Sequence, residues 1–374
     1  MIYYIFNPKP PSEKDTGGAE IVLAKIATAI SKRGHKVVWC CCKTFDKHYR
    51  LEDVDRPYEV RAYANFASLW IRCLFLLINK KSKRDFKLIA RCDDTVLIPF
   101  PVFGDNVIGI CFHFMGRTLF TELSYRTNIV LALILFALSQ LSWWTLGVIF
   151  WRGKKIITIS NFSAWQIKRR RLTKNIAVVR EQIAVPSALS SILKIPKEPI
   201  PTSIVISRLV KYKGIQDIIR ACKIVESKIN LRVWIVGDGP YKKQLIKLAK
   251  KVGTRSVRFL GYVSEDEKIM LLRRSWLNIV SSRREGFPRT ASEGLLVGTP
   301  CVLTRESVIG LFETRNDVQF TYRAGDYRAL AELLLKLLCN PDELNTLLML
   351  QSRSPLAAFD EAKMIRGFVK EILS

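Results

Sequence analysis

The sequence predicts an α/β protein with two domains, each built around a parallel β-sheet. Apolar runs of strand length alternate with helical segments along most of the 374-residue chain, a pattern typical of parallel sheets. A Pro-rich stretch, KIPKEPIPT at residues 194–202, separates two such series and is typical of a linker. The chain is long enough for two hydrophobic cores. We therefore expect two Rossmann-like domains whose parallel sheets face each other across a cleft.

The predicted boundaries are residues 1–193 for the N-terminal domain and 194–355 for the C-terminal domain. Residues 356–374 are predicted to form a helix that packs back on the N-terminal domain. The first domain opens with strand 2–6, a Gly17-Gly18 turn, a helix that ends at Gly34, and strand 36–42. Further predicted elements in this domain are strands at 95–100, 107–111 and 155–160 and helices at 67–79, 129–151 and 161–171. In the second half, strands are predicted at 203–207, 231–237, 257–262, 276–280 and 318–322, with helices between and after them.

The composition is strongly basic. Lys and Arg number 60 against 33 Asp and Glu, which gives a formal net charge of +27. Such an excess indicates an anionic partner: nucleic acid, an acidic membrane surface or a phosphorylated substrate. The nine cysteines form no C-x-x-C pair, and most lie in apolar segments, which predicts reduced, buried thiols in a cytosolic chain. Met1 leads directly into a strand, so no signal peptide is expected.

Two apolar segments of the first half lie near basic residues. Residues 67–79 precede a cluster of five cations, Lys80, Lys81, Lys83, Arg84 and Lys87, as in a helix at an anionic membrane surface, or a core helix with a solvated end. Residues 129–151 carry no charge over 23 positions, which is long enough to span a bilayer. The polar residues within it and the strand that follows favour a buried helix or one lying in the membrane interface.

The stretch from Trp276 to Val302 has the order strand, loop, helix and strand. An apolar strand is followed by a loop with Glu285, Gly286, Phe287 and Pro288. Thr290 or Ser292 then opens a short helix that contains Glu293. Such a corner of an open α/β sheet binds ligands, with free N–H groups near Thr290 and Ala291 facing an anion.

Two cations follow the first strand of the second half. Arg208 and Lys213 lie at the carboxyl edge of the predicted sheet, where they can neutralise a diphosphate. The turn Gly237-Asp238-Gly239-Pro240 lies at the same edge but lacks the third glycine of a dinucleotide fingerprint. Asp53-Val54-Asp55 follows no buried strand and is interpreted as a surface loop.

Taken together, these residues resemble the retaining, nucleotide-sugar-dependent glycosyltransferases of family 4, which have the GT-B fold. The matching pieces are GGAE at 17–20, His113, SNFS at 160–163, SRLVKYKG at 207–214, VGDGP at 236–240, FLGYVS at 259–264 and EGFPRTASE at 285–293. Their order and spacing cover nearly the whole chain, with a good match in the second half and a looser one in the first. The resemblance implies that the N-terminal domain binds the acceptor and the C-terminal domain binds the sugar donor.

The resemblance also implies roles for single residues. Arg208 and Lys213 would hold the donor diphosphate, Glu285 and His113 would contact the transferred sugar, and Glu293 would bind the ribose. These four positions, His113, Arg208, Lys213 and Glu285, are the predicted catalytic residues. The predicted donor-binding set is Gly18, Arg208, Lys213, Gly239, Tyr262, Val263, Glu285, Gly286, Phe287, Thr290, Ala291 and Glu293. Tyr262 and Val263 would lie near the base, and Gly18 would let backbone approach the phosphates.

The implied reaction retains the configuration of the donor sugar, with attack on the face from which the diphosphate departs. Because positive charge at the leaving group replaces a metal ion, no metal and no cofactor are expected. The expected partners are a nucleotide-diphosphate sugar, a lipid or lipid-linked glycan acceptor and an anionic membrane surface, but not nucleic acid. The expected location is the cytoplasmic face of a membrane, with peripheral attachment.

The chain departs from the family pattern at two places. VVREQIAVP stands where a Pro-Asn-Gly turn is common, and SVIGLFE, with Gly310 alone, stands where a glycine pair is usual. The second departure bears on the choice of donor sugar more than on activity.

Three alternatives remain open from the sequence. A nicotinamide-dependent oxidoreductase would need G-x-G-x-x-G and an acid at a strand end, which are not found. A nucleic-acid-binding protein is suggested by charge alone, without a recognisable module. A catalytically inactive GT-B homologue that acts as a membrane-associated partner subunit would not need Arg208, Lys213, Glu285 and Glu293 to be intact.

Overall fold

A computed structural model describes most of the chain. The described residues are 1–8, 11, 18–43, 56–78, 86–92, 106–112, 129–285, 287–308, 320–354 and 356–374. Several predicted features lie outside them: His113, Gly17, Gly286, strand 95–100, the cations from Lys80 to Arg84, the Asp53–Asp55 loop and residues 309–319. The chain divides into two compact units. The first holds residues 1–119, 130–180 and 362–374, and the second holds 120–129 and 181–361.

The first unit contains a seven-stranded parallel sheet with the order β3-β2-β1-β4-β5-β6-β7. Its strands are β1 (Ile2–Phe6), β2 (Lys36–Cys42), β3 (Glu59–Tyr63), β4 (Phe86–Arg91), β5 (Val107–Cys111), β6 (Lys155–Thr158) and β7 (Ile176–Val178). Its helices are α1 (Gly18–Ser31), α2 (Phe66–Ile78), α3 (Ile129–Trp144), α4 (Leu146–Trp151) and α5 (Asn161–Arg169). The near-continuous apolar character of β2 and β5 is what a strand buried on both faces requires.

The second unit contains a six-stranded parallel sheet with the order β10-β9-β8-β11-β12-β13. Its strands are β8 (Thr202–Ile206), β9 (Arg232–Val236), β10 (Val257–Gly261), β11 (Leu277–Val280), β12 (Cys301–Thr304) and β13 (Thr321–Tyr322). Its helices are α6 (Leu189–Ile192), α7 (Ile215–Val225), α8 (Lys242–Val252), α9 (Glu265–Arg274), α10 (Arg289–Leu296), α11 (Arg305–Val308), α12 (Tyr327–Cys339) and α13 (Pro341–Ser352). Amphipathic helices α7 and α12 bury Ile218, Ile219 and Leu334 in one core with Val233 and Ile279 of the strands.

The last helix, α14 (Glu361–Leu373), enters the first unit after its first residue. Met364, Phe368 and Ile372 on one of its faces are buried. Lys87 Nζ donates to the Ile372 carbonyl at 2.8 Å, and Lys155 Nζ forms an ion pair with Glu371 at 2.8 Å. Lys87 is therefore engaged within the unit, whereas the sequence placed it in a cationic cluster available to a membrane. Burial also lowers its pKa.

Segment 129–151 does not form the buried helix that was one of the two sequence interpretations. It consists of α3 and α4, joined at Thr145, and only 17% of its most apolar window is buried. By length and composition, Val130–Trp151 is the one candidate membrane span among the described residues. Helix α2, by contrast, packs Leu69 and Cys73 into the core of the first unit. All nine cysteines are free, and all but Cys339 are buried, as the sequence predicted.

Candidate functional site

The site lies at the point where the strand order of the second sheet reverses. Strands β8 and β11 are neighbours in the sheet, although β9 and β10 separate them in sequence. The chain leaves β8 toward one edge of the sheet and reaches β11 on the other side. The loops after the two strands therefore lie at the carboxyl ends of neighbouring strands at a switch point, which is where open α/β sheets bind ligands. The first loop carries Arg208 and Lys213, and the second carries Glu285.

The two loops are bonded directly to each other. Ser281 Oγ donates to the Lys213 carbonyl at 2.6 Å. Gly214 has a φ of 72°, and a Cβ at this position would lie 2.1 Å from the Ser281 carbonyl oxygen. Only glycine permits both the left-handed backbone and this close approach. The sequence KYKG after β8 thus fixes the position of Lys213 against the loop after β11.

Lys213 and Glu285 form an ion pair at the carboxyl ends of these strands. Lys213 Nζ lies 2.5 Å from Glu285 Oε1, and their side chains are 16% and 15% exposed. Ser282 Oγ donates to the same carboxylate oxygen at 2.6 Å. Burial opposes the charge of Lys213, but Glu285 and Tyr212 outweigh it and raise its pKa above the usual value. The structure therefore brings together two predicted catalytic residues and keeps the lysine cationic at neutral pH.

Arg208 is exposed at the start of the same loop. The loop packs against the turn after β9, where Leu209 N donates to the Asp238 carbonyl at 2.8 Å. A Cβ on Gly237 would lie 2.1 Å from the Ser207 carbonyl oxygen, and one on Gly239 would lie 2.4 Å from that of Leu209. The two glycines of GDGP thus allow this close backbone approach. Gly239, a predicted donor-binding residue, therefore supports the loop that presents Arg208.

Glu293 lies within helix α10 and is largely buried. Its Oε1 accepts from Lys268 Nζ at 3.0 Å, and Lys268 also contacts the exposed Glu265 at 2.6 Å. Burial would lower the pKa of Lys268, but the carboxylates of Glu293 and Glu265 raise it further than burial lowers it. Glu293 Oε2 is buried without a hydrogen-bond partner. Such a carboxylate oxygen can accept a hydrogen bond from a ligand hydroxyl group.

Arg289 extends this charged region beyond the predicted residues. It forms an ion pair with the buried Glu181 at 2.8 Å and lies 3.9 Å from Glu361. Burial raises the pKa of Glu181 against the lowering effect of Arg289, and the charges of Glu285 and Glu293 add to the rise. Sequence reasoning missed Glu181, Lys268 and Arg289. Arg289 lies inside the EGFPRTASE stretch, but its partner is 108 positions away, and Lys268 lies in a charged helix that reads as solvent-exposed.

Helix α10 begins at Arg289, one residue earlier than the first of the two predicted starts. The sequence predicted a free N–H group at Ala291, and this prediction is wrong, because the Ala291 amide donates to the Pro288 carbonyl at 2.9 Å. Pro288 ends the loop, so its carbonyl is available to close this first turn. Thr290 is held by its carbonyl, which accepts from Asn278 Nδ2 at 2.8 Å.

The remaining predicted residues have varied surroundings. Phe287 is 8% exposed and Tyr262 is 58% exposed, while Val263 packs against the cluster around Trp234 and Leu272. Gly18 is the first residue of α1 in the first unit. His113 and Gly286 lie outside the described residues. Within the described ranges, no group of three or more His, Cys, Asp or Glu side chains is placed to hold a metal ion.

Comparison with known proteins finds similarity in sequence within this half of the chain. Residues 191–348 match the model of the family described as "Glycosyl transferases group 1". N-acetyl-alpha-D-glucosaminyl L-malate synthase of Bacillus anthracis is 29% identical over 134 residues, which are 36% of this chain and 35% of that protein. The lipopolysaccharide core biosynthesis glycosyltransferase LpsD of Rhizobium meliloti is 30% identical over 36% of this chain and 38% of its own length. The match thus spans little more than a third of these relatives.

Solved structures extend the similarity of fold to the whole chain. WaaG, a glycosyltransferase involved in lipopolysaccharide biosynthesis, covers 100% of this chain and 99% of its own, with a TM-score of 0.70 and 15% identity. Anabaena Alr3699/HepE in complex with UDP-glucose covers 100% of this chain and 98% of its own, with a TM-score of 0.66 and 17% identity. Together with the two parallel sheets, these similarities confirm the GT-B fold that the sequence predicted.

Proposed function

We propose that the protein is a retaining glycosyltransferase that moves a sugar from a nucleotide-diphosphate sugar to an acceptor. The observation that carries this proposal is the Lys213–Glu285 pair at the switch point of the second sheet. It lies inside the region that matches the glycosyl transferases group 1 model. A cation and a carboxylate that are both about one-sixth exposed are reachable by a ligand and yet held in place by the loops around them.

The donor diphosphate lies between Arg208 and Lys213 in this proposal. Lys213 supplies a fixed positive charge, and the exposed Arg208 adds a second cation five residues away in the same loop. Negative charge develops on the diphosphate as its bond to the sugar breaks, so preorganised cations stabilise the transition state more than the ground state. The donor phosphate competes with Glu285 for the Lys213 ammonium, and Glu285 is thereby released toward the sugar hydroxyl groups.

The proposed transfer needs no side chain as a base, because the departing diphosphate takes the acceptor proton. The acceptor oxygen forms a bond to the anomeric carbon on the face from which the diphosphate departs. The bond between that carbon and the diphosphate oxygen breaks, and the acceptor proton moves to the departing diphosphate. Because attack and departure share one face, the sugar keeps its configuration. The two cations do the work of charge neutralisation, so the proposed reaction needs neither a metal ion nor a cofactor.

Glu293 is proposed to bind the ribose of the donor. Its Oε2 is buried without a partner, whereas its Oε1 is held by Lys268. Two ribose hydroxyl donors can satisfy such an oxygen, and a carboxylate forms stronger hydrogen bonds than a neutral acceptor does. Tyr262 and Val263 are proposed to lie near the base, and the first unit is proposed to bind the acceptor.

The proposed acceptor is a lipid or a lipid-linked glycan at the cytoplasmic face of a membrane. Two of the similar proteins, LpsD and WaaG, act in lipopolysaccharide biosynthesis according to their descriptions. The net charge of +27 favours an anionic surface. We do not assign a nucleic-acid partner to this charge, because the chain contains no recognisable nucleic-acid-binding motif.

Transfer to water tests the reaction without an identified acceptor. We expect one member of a panel of UDP-, GDP- and ADP-sugars to release its nucleoside diphosphate slowly in the presence of the protein. Proton NMR of the freed sugar should show, before mutarotation, the anomer present in the donor. Release of the opposite anomer would contradict retention. Donor binding with no release, even when membrane lipids are added, would favour the inactive partner subunit.

A further inference from the structure

Segment 129–151 exposes several large apolar side chains along one side. Leu133, Leu138, Leu141 and Ile149 are 52%, 56%, 61% and 65% exposed, and Val130 is 63% exposed. A helix on the surface of a globular domain normally turns such side chains to the core, and monomeric proteins rarely expose a long apolar patch. We call these five side chains the outer face of the segment.

The side that packs on the first unit is a narrow stripe. Four of its six buried members are Ala132, Ser139, Trp143 and Gly147, which are spaced by seven, four and four residues and so lie on one helix face. A Cβ on Gly147 would lie 2.9 Å from Trp143 Cε3 and 3.3 Å from a Leu172 methyl carbon. The small residues Ala132, Ser139 and Gly147 thus bring the helix close to the unit. This close packing fixes the outer face away from it.

The segment and the residues that follow it carry positive charges and no negative ones. Residues 129–180 contain no Asp or Glu. They contain nine cations: Arg152, Lys154, Lys155, Lys168, Arg169, Arg170, Arg171, Lys174 and Arg180. Arg170 Nη2 donates to Gln140 Oε1 at 3.2 Å, and its guanidinium lies 5.9 Å from the Trp144 ring centroid. The basic run that includes Arg170 therefore lies beside the C-terminal half of α3.

Two half-exposed tryptophans lie beside arginines of this region. Trp144 and Trp165 are each 49% exposed. The Arg170 guanidinium lies 5.9 Å from the ring centroid of the first, and the Arg169 guanidinium lies 5.2 Å from that of the second. Indole rings with an apolar body and a polar N–H concentrate at the boundary between lipid and water. Apolar side chains, tryptophans and cations thus occur together, as at a bilayer interface.

We infer that the outer face of segment 129–151 inserts into one leaflet of an anionic membrane, with the segment lying in the membrane plane. Apolar burial and attraction between Lys or Arg and anionic lipid both favour this placement. The segment does not cross the bilayer, because Trp143, Phe150 and Trp151 belong to the core of the first unit. This inference deepens the acceptor part of the proposed function and rests on that function only for its link to a lipid acceptor.

Flotation with lipid vesicles tests the inference on the full-length protein. One vesicle preparation contains phosphatidylcholine alone, and the other contains equal parts of phosphatidylcholine and phosphatidylglycerol. We expect the wild type to bind the anionic vesicles, and the triple variant Leu138→Gln/Leu141→Gln/Ile149→Gln to bind them at least about tenfold more weakly, because each lost apolar insertion is worth about a factor of ten or more. A control double variant, Met349→Gln/Leu350→Gln, removes exposed apolar side chains from the second unit and should bind like the wild type.

A second variant separates the contribution of charge. Lys168→Gln/Arg169→Gln/Arg171→Gln should show a weaker preference for anionic over neutral vesicles than the wild type, and its binding should fall less steeply with salt. All the substituted side chains are exposed, so thermal unfolding should confirm that the variants remain folded.

Four outcomes would overturn the inference. If the apolar triple variant binds vesicles as tightly as the wild type does, the outer face does not contact the membrane. Binding that resists both high salt and high pH and yields only to detergent indicates a span. A wild-type dimer that the triple variant dissociates, without vesicle binding, indicates that a second copy covers the face. A charge variant whose anionic preference and salt dependence equal those of the wild type shows that these exposed cations do not contact the membrane. Donor binding, measured by thermal shift, should be unchanged in every variant. If the wild type binds no donor, the proposed function is refuted and the membrane inference stays intact.

Discussion

The two sheets carry an ion pair at equivalent places, and the pairs differ in burial. In each sheet the strand order reverses beside the first strand. This switch point lies between β1 and β4 in one unit and between β8 and β11 in the other. In the first unit, Arg91 at the end of β4 meets Glu20 of α1 at 2.6 Å, with side chains 6% and 1% exposed. In the second, Lys213 meets Glu285 at 2.5 Å, with side chains 16% and 15% exposed.

This difference separates a structural pair from one that a ligand can reach. Arg91 also lies over the Phe112 ring at 5.4 Å, which further covers its guanidinium. A charge sealed in this way stabilises the fold only while its partner is present, because its desolvation is not compensated otherwise. The Lys213–Glu285 pair keeps access to solvent and can exchange partners with a phosphate. Topology thus places both pairs, and burial leaves only the second within reach of a ligand, as the proposed function requires.

The largest expected effect is on stability in the first unit. Arg91→Ala should lower the free energy of unfolding by about 3–5 kcal/mol, because it leaves the Glu20 carboxylate buried without this partner. Arg61→Ala is the matched control, since its pair with Glu59 has both side chains 39% exposed and should be worth about 0–1 kcal/mol. Urea unfolding measures both. Equal losses in the two variants would show that burial does not distinguish these pairs.

The reachable pair should act on turnover instead. Lys213→Ala should cost about 2.7–4 kcal/mol of transition-state stabilisation, the scale for losing one preorganised donor, and Arg208→Ala should also slow turnover. Lys211→Ala is the control, because Lys211 lies in the same short turn but is exposed. Release of nucleoside diphosphate from the donor is the measurement. Rates within a few-fold of the wild type for both Lys213→Ala and Arg208→Ala would refute the assignment.

A smaller effect is expected at the ribose position. Glu293→Ala should weaken binding of the free nucleoside diphosphate by roughly tenfold to a hundredfold, the range for a hydrogen bond to a charged group. Glu265→Ala removes the other carboxylate partner of Lys268. The Glu265 side chain is 77% exposed, so this variant should keep the affinity of the wild type. Isothermal titration calorimetry compares the two. Equal affinity in both variants would remove Glu293 from the donor site.

The smallest expected effect is that of a chelator. If Lys213 and Arg208 neutralise the diphosphate, EDTA should leave donor turnover unchanged. Loss of turnover on chelation, with recovery on adding manganese or magnesium, would contradict the proposed role of the two cations.

Sequence patterns predicted the second unit more fully than the first. Its strands are apolar, so the predictions at 203–207, 257–262 and 276–280 agree with β8, β10 and β11 to within one residue at each end. In the first unit, Glu59–Tyr63, Phe86–Arg91 and Ile176–Val178 were missed as strands. The first is half-exposed along its length, the second contains two cations and the third has only three residues. Such strands lack an apolar signal, and pairing with neighbours determines them.

The site was partly predictable for a similar reason. Lys213 and Glu285 follow neighbouring strands, so sheet topology alone brings them together. Glu181, Lys268 and Arg289 meet their partners through contacts between distant segments, which no local pattern encodes. The exposure of segment 129–151 was also not readable, because an apolar helix has the same composition whether its surroundings are core or lipid.

The most direct test of the central claim is thermal shift with a panel of nucleotide sugars on the wild type, Lys213→Ala and Lys211→Ala. A ligand that binds only the folded state must raise the melting temperature by mass action. We predict that one nucleotide sugar stabilises the wild type and Lys211→Ala, that the shift is largely lost in Lys213→Ala, and that NADH has no effect on any of them. An equal shift in Lys213→Ala, or stabilisation by NADH and by no nucleotide sugar, would contradict the assignment of this site to a sugar donor.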